Sequence, residues 1–241
     1  MIGSERRGPV GVLVVDRPER RNALDVDACR DLTGALDAHV DDGARVIVLT
    51  GAAGHFCAGA DLSGVEGDDF REALRTLLDR IIAVPVPVIA AVAGAALGAG
   101  TQLAVAADLR VALADARFGI PATKLGLMVD HWTVQRLALL AGHGPARTML
   151  LAAEEIDGTR AHALGLVQRV GTLDDAIAWA TDIAALAPLS IAGHKLALNR
   201  LEPALADADV AAAITRAWSS ADLAEGMAAF RDRRPPEFRG R

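Results

Sequence analysis

Ile81–Ala107, IIAVPVPVIAAVAGAALGAGTQLAVAA, runs without a charged side chain. It is long enough for one membrane-crossing helix, which needs about 20 apolar residues. Pro85, Pro87, Gly94, Gly98 and Gly100 interrupt it. A proline inside a helix removes a backbone hydrogen bond and collides with the preceding turn. The pieces also differ in texture: Val86–Ala93 has the aliphatic run of a buried strand, and Thr101–Ala107 the composition of a buried helix. A strand, a Gly-rich turn and a helix, all inside a protein core, account for the segment better than a bilayer span.

To the N-terminal side, Val10–Val15 and Arg45–Thr50 are rich in Val, Leu and Ile and bounded by turn residues, which predicts strands. Between them Cys29, Leu32, Leu36 and Val40 recur at helical spacing, so an amphipathic helix is expected, with His39 as a structural or surface residue. Helices are expected over Phe70–Ala83, Ala99–Ala107, Thr133–Leu140, Pro145–Ala152 and Leu173–Leu186, and strands at Leu109–Ala114 and Leu166–Val170. Strands alternating with helices place the chain in the α/β class. After Pro188 the pattern turns helical, with Leu196, Leu198, Leu201, Val210, Ile214 and Trp218 available for packing. Residues 1–187 are thus expected to form the core. Residues 188–241 form a helical appendage with a basic tail, Arg231–Arg241.

Composition narrows the function classes. Apolar residues make up 52% of the 241 and Tyr is absent, so the core must be built from small aliphatic side chains. A formal charge of -6 argues against nucleic acid as the main partner. Cys29 and Cys57 lie far apart without metal-ligand spacing. That suits reduced thiols in a cytoplasmic setting, with no metal or redox cofactor. Met1–Val10 lacks the apolar core of a signal peptide.

Three Gly-rich stretches carry the chemistry: Leu49–Leu62 (LTGAAGHFCAGADL), Ala93–Leu103 (AGAALGAGTQL) and Phe118–Leu127 (FGIPATKLGL). The first two lack the G-x-G-x-x-G order of a dinucleotide fold and the Lys-Ser/Thr of a P-loop. The serine-hydrolase elbow G-x-S-x-G is also missing. Small residues at Ala58–Ala60 and Gly98–Gly100 let a ligand approach the backbone closely. The second stretch opens a helix, where unpaired N–H groups favour negative charge. Taken singly, each stretch reads first as a tight turn in an Ala/Gly-rich core, since Gly more often marks a turn than a site.

Their order resembles that of the crotonase (enoyl-CoA hydratase/isomerase) family. Arg17–Leu24, RPERRNAL, matches the family's N-terminal signature; FCAGADL at Phe56–Leu62 matches its first oxyanion loop; Pro87–Gly100, PVIAAVAGAALGAG, matches the approach to its second. Ser219–Met227 and FRDRRPPEF at Phe230–Phe238 resemble its C-terminal helix and basic end. The resemblance implies a spiral of β-β-α turns followed by a helical trimerisation region at 188–241, trimers often pairing into hexamers. It further implies a fatty acyl-CoA or enoyl-CoA ligand, its thioester carbonyl held by the N–H groups of Ala60 and Ala99. Asp61, Leu62 and Ser63 would line the pantetheine and adenine side, Arg21 and Ala23 would lie near the nucleotide, and Arg233 or Arg234 would reach the phosphates.

The hydratase branch holds its water between two glutamates, and the matching positions here are Gln102 and Ala122. A missing general acid or base typically removes 10²–10⁴-fold in rate, so hydration is expected to be lost or weak. The implied role is then acyl-CoA binding, as a carrier or accessory protein in lipid metabolism. Val129–Thr133, VDHWT, departs from the family's Gly-rich run. Asp130 there either shuttles a proton, giving an isomerase, or caps the helix that follows. His131 is read as a partner of Asp130 or a structural residue, Trp132 as pocket wall, His55 as exposed and Cys57 as packing.

Overall fold

The computed structural model describes residues 1–61, 68–200, 212, 214–216 and 218–238. A hairpin opens the chain: β1 (Ile2–Arg7) and β2 (Val10–Val15) pair antiparallel around Gly8, whose φ of +58° suits the tight turn. From β2 onward the strands run parallel, through β3 (Val46–Gly51), β4 (Val88–Val92), β6 (Leu109–Ala112) and β9 (Arg169–Val170). The sheet order is β1-β2-β3-β4-β6-β9. Gly94, at φ +54°, turns the chain out of β4 into a second sheet. That sheet holds β5 (Ala95–Leu97), β7 (Arg117–Gly119) and β8 (Ile156–Asp157) in the order β5-β7-β8.

Strand periodicity divides the core in two. Ile47, Leu49, Val88, Ala90 and Val92 point into the main cluster with Leu32, Leu36, Leu74, Leu77 and Ile81. Those residues come from α1 (Val26–Asp41) and α2 (Asp69–Ala83). Val46, Val48, Ile89 and Ala91 face the other way, onto Ala176, Ala180 and Ala184 of α7 (Leu173–Ala184). A parallel strand covered on both faces must be apolar throughout, which is why VIAAV in β4 is buried at every position. Each such aliphatic contributes about 1.5–3 kcal/mol.

α3 (Ala99–Ala106) is likewise buried at every residue, so the charge-free segment is a core strand, a turn and a core helix. No single helix among the described residues is long and apolar enough to cross a membrane. Further helices among the described residues are α4 (His131–Ala141), α5 (His143–Leu151), α6 (Gly158–Ala163), α8 (Pro188–Asn199) and α9 (Ala221–Asp232), with 3-10 turns at Pro18–Arg20 and Pro121–Leu125.

The C-terminal region is no loose appendage. Lys195 of α8 is buried, and its Nζ donates to Ile81 O (3.0 Å), Val86 O (3.0 Å) and the Asp108 carboxylate (2.7 Å). The Trp218 indole N–H donates to Met128 O (2.9 Å), and α9 packs its Gly226 on Leu125. Leu196 and Leu198 are exposed, while Lys195 and Asn199 form the inward face of α8. Leu201 and Val210 lie outside the described residues.

Candidate functional site

Leaving β3, the chain turns through Ala53 and Gly54 in the left-handed region and then runs as Phe56–Asp61 between two neighbours. On one side Phe56 and Cys57 donate to Ala93 O (2.8 Å) and Ala95 O (2.9 Å), and Leu97 N–H donates to Cys57 O (3.0 Å). On the other side Ala58 N–H donates to Arg21 O (3.0 Å), Leu24 N–H to Gly59 O (2.8 Å) and Asp61 N–H to Leu24 O (2.6 Å). Leu24 and Ala60 thus form a parallel bridge. In it Leu24 bonds the groups flanking Ala60 and leaves Ala60's own amide unused. Among the described residues the Ala60 N–H has no hydrogen-bond acceptor.

Ala99 is the first residue of α3, and its N–H is one of the orphans every helix start carries. It too has no acceptor among the described residues. The preceding Gly98 sits at φ +52° and donates to Gly119 O (2.8 Å). Gly59, at φ +117°, brings the two turns together: a Cβ on it would lie 3.1 Å from Leu97 O and 3.9 Å from Ala99 N. Gly100 allows the closest approach, since a Cβ there would fall 2.1 Å from Cys57 O. The result is two unpaired amides on adjoining turns, one of them at the positive end of a buried helix. Ala58 and Ala60 are half-buried beside them and Ala99 is buried.

One helical turn along α3, the buried Gln102 donates to Asp130 Oδ2 (2.9 Å) and Thr133 Oγ1 (2.8 Å). Asp130 caps α4: its Oδ1 accepts from Thr133 N–H (3.1 Å), its Oδ2 from the Thr133 hydroxyl (2.6 Å). Arg75 Nη1 stands 3.6 Å from Oδ1. Asp130 is therefore not an isolated buried acid; its side chain is 37% exposed and surrounded by donors. His131 does not partner it, pairing with Gln135 instead (2.9 Å). Trp132 is buried, with the Arg75 guanidinium 4.7 Å over its ring. One turn earlier on α2, Arg71 stacks on Trp218 at 4.6 Å. Ala122 is half-buried in the 3-10 turn, its methyl against the main core and its carbonyl accepting from Leu127 N–H (2.9 Å).

The other singled-out positions are placed as follows. Asp61 is buried and ion-paired with Arg17 (3.4 Å) and Arg20 (3.5 Å), so its carboxylate braces the loop from behind. Arg21 is exposed at φ +50°, and Ala23 is buried with its carbonyl accepting from Arg17 Nη1 (2.5 Å). Leu62 and Ser63 lie outside the described residues. Arg234 is taken up by Glu225 (2.6 and 2.9 Å), and Arg233 ends α9 in the left-handed region. His55 is half-buried rather than exposed, with Nδ1 enclosed. Cys57 and Cys29 are free and buried, and burial pushes each thiol up to about 12, which leaves them as packing residues. Sequence reasoning missed Asn22, Arg75 and Thr133, each of which has at least one partner far along the chain.

The mixed α/β architecture is that of the crotonase-fold proteins. A solved structure of methylmalonyl-CoA decarboxylase in complex with 2-nitronate-propionyl-CoA matches with a TM-score of 0.91 at 26% identity, over 100% of this chain and 98% of that one. The enoyl-CoA hydratase/isomerase family model matches residues 5–241, and the chain belongs to that family. Relatives include the "Probable enoyl-CoA hydratase echA6" of Mycobacterium tuberculosis (strain CDC 1551 / Oshkosh), 45% identical over 100% of both chains. The 2,3-dehydroadipyl-CoA hydratase of Escherichia coli (strain K12) is 36% identical over 98% of this chain and 97% of its own.

Proposed function

We propose that the protein binds acyl-CoA thioesters, holding the carbonyl oxygen between the N–H groups of Ala60 and Ala99, and that its hydratase activity is lost or weak. The observation that carries this reading is the pair of unpaired amides on adjoining turns. Backbone donors fixed before the ligand arrives need no reorganisation, and each can contribute about 3–4 kcal/mol to an enolate oxygen. Membership of the enoyl-CoA hydratase/isomerase family supports a CoA thioester as the ligand.

Hydration needs more than this grip: a group must take a proton from water and another must deliver one. Gln102 can hold a water but cannot deprotonate it, and its amide is already spent on Asp130 and Thr133. Ala122 offers no acid. Asp130 accepts from Thr133 and Gln102 and faces Arg75, an arrangement that fits a helix cap better than the base of an isomerase. Incubation with crotonyl-CoA, followed by loss of the conjugated thioester absorbance, tests the reading. Turnover should fall well below the ordinary value of roughly 10 s⁻¹, and turnover at that level would overturn it. Full isomerase activity in the native protein that Asp130→Asn abolishes would restore Asp130 as a base.

A further inference from the structure

We infer that Asn22 is a positioning residue for the thioester grip: it fixes the first loop so that the Ala60 amide stays beside that of Ala99. This rests on the thioester reading above and assigns a task to the part of RPERRNAL that reading leaves unused. Asn22 is fully buried and stands at φ +60°, a conformation asparagine tolerates better than most residues. Its Oδ1 accepts from Arg17 N–H (3.0 Å), and its Nδ2 donates to Ala52 O (2.8 Å) and His55 O (2.6 Å). One side chain thereby uses three of its hydrogen-bonding capacities on two segments far apart in sequence.

Those contacts set the aim of the loop. The turn at Ala52–His55 launches the chain toward Ala60, and two of its carbonyls are held by the Asn22 amide. The left-handed backbone at Asn22 directs Arg21 O and Leu24 along the loop, where they take the amides of Ala58 and Asp61. The parallel bridge between Leu24 and Ala60 then leaves the Ala60 N–H on the far side, next to the second turn. Without the Asn22 amide His55 O loses this donor and Ala52 O keeps only the longer bond from His55 N–H (3.3 Å), and the bridge loses the anchor that fixes its register. The second turn is untouched, since Ala99 is placed by α3 and by Gly98 on Gly119. One donor of the pair should drift while the other stays.

The test is isotope-edited infrared difference spectroscopy of a saturated acyl-CoA, labelled at the thioester carbonyl, bound to native protein, Asn22→Asp and Asn22→Gly. Asn22→Asp keeps the shape but turns the donating end into an acceptor facing two carbonyls. Asn22→Gly keeps the positive φ and removes the side chain, so it should fold even where the aspartate variant does not. The carbonyl stretch should fall in frequency on binding to native protein and fall markedly less in a folded Asn22 variant. Affinity should drop about tenfold, the scale of one lost hydrogen bond. A merely structural role would lower the melting temperature but leave the frequency of the bound carbonyl unchanged, and that outcome would overturn the inference. A native protein that binds without any fall in frequency would instead remove the thioester grip, and this inference with it.

Discussion

Gly100 is the residue on which the separation of the two turns depends. A Cβ placed there would lie 2.1 Å from Cys57 O, far inside contact distance. Gly100→Ala should therefore destabilise the protein by about 1–3 kcal/mol, as overpacking does, and weaken acyl-CoA binding. Urea unfolding and a ligand titration check the two effects. Cys29 and Cys57 give a pH dependence. Each thiol rises from 9.0 to about 12 on folding because burial disfavours the thiolate. Their contribution is whole below pH 9 and declines as pH climbs toward 12. Replacing both by Ala should flatten the alkaline limb of a stability-against-pH curve. At this scale the sequence was partly legible: glycines flanking Ala60 and Ala99 marked a close backbone approach. Asn22 gave no such signal, because its meaning lies in the carbonyls of Ala52 and His55.

Between elements, the unusual run VDHWT becomes intelligible through α2. Arg75 stacks on Trp132 and faces Asp130, while Gln102 reaches Asp130 from α3, so three helices meet at one carboxylate. On the proposed reading, installing a hydratase acid here takes more than one substitution. Gln102→Glu would put a second carboxylate where an amide now stands 2.9 Å from Asp130, and neighbouring like charges oppose joint ionisation. Gln102→Glu should lower the melting temperature, and Gln102→Glu with Asp130→Asn should recover it. Crotonyl-CoA hydration should rise measurably only when Ala122→Glu is added. The Asp130 cap could be read from Asp before a helical pattern. Arg75 could not, since helical spacing marks it as an outward charge and says nothing of a partner on α4. The short strands β5, β7 and β8 escaped for a related reason: AAL, RFG and ID are too brief for a period-2 signal.

For the whole molecule, the parallel core was readable because strands buried on both faces leave unbroken aliphatic runs. The C-terminal region was less so, as helical texture says nothing about where a helix docks. Lys195 settles that for α8 by tying it to Ile81, Val86 and Asp108. Lys195→Met strands the partly buried Asp108 and should cost about 3 kcal/mol, the low end for breaking such a pair; thermal unfolding would read it. The grip itself is tested most directly at Ala99. Proline is tolerated at the first helical position, where its missing N–H is one that no carbonyl uses, and the preceding Gly98 has no Cβ to meet the ring. Titration calorimetry of native protein and Ala99→Pro with a saturated acyl-CoA should show binding to the native chain. In the variant, affinity should fall about tenfold with little change in melting temperature. Equal affinity in the two proteins, or no binding to the native one, would contradict the account.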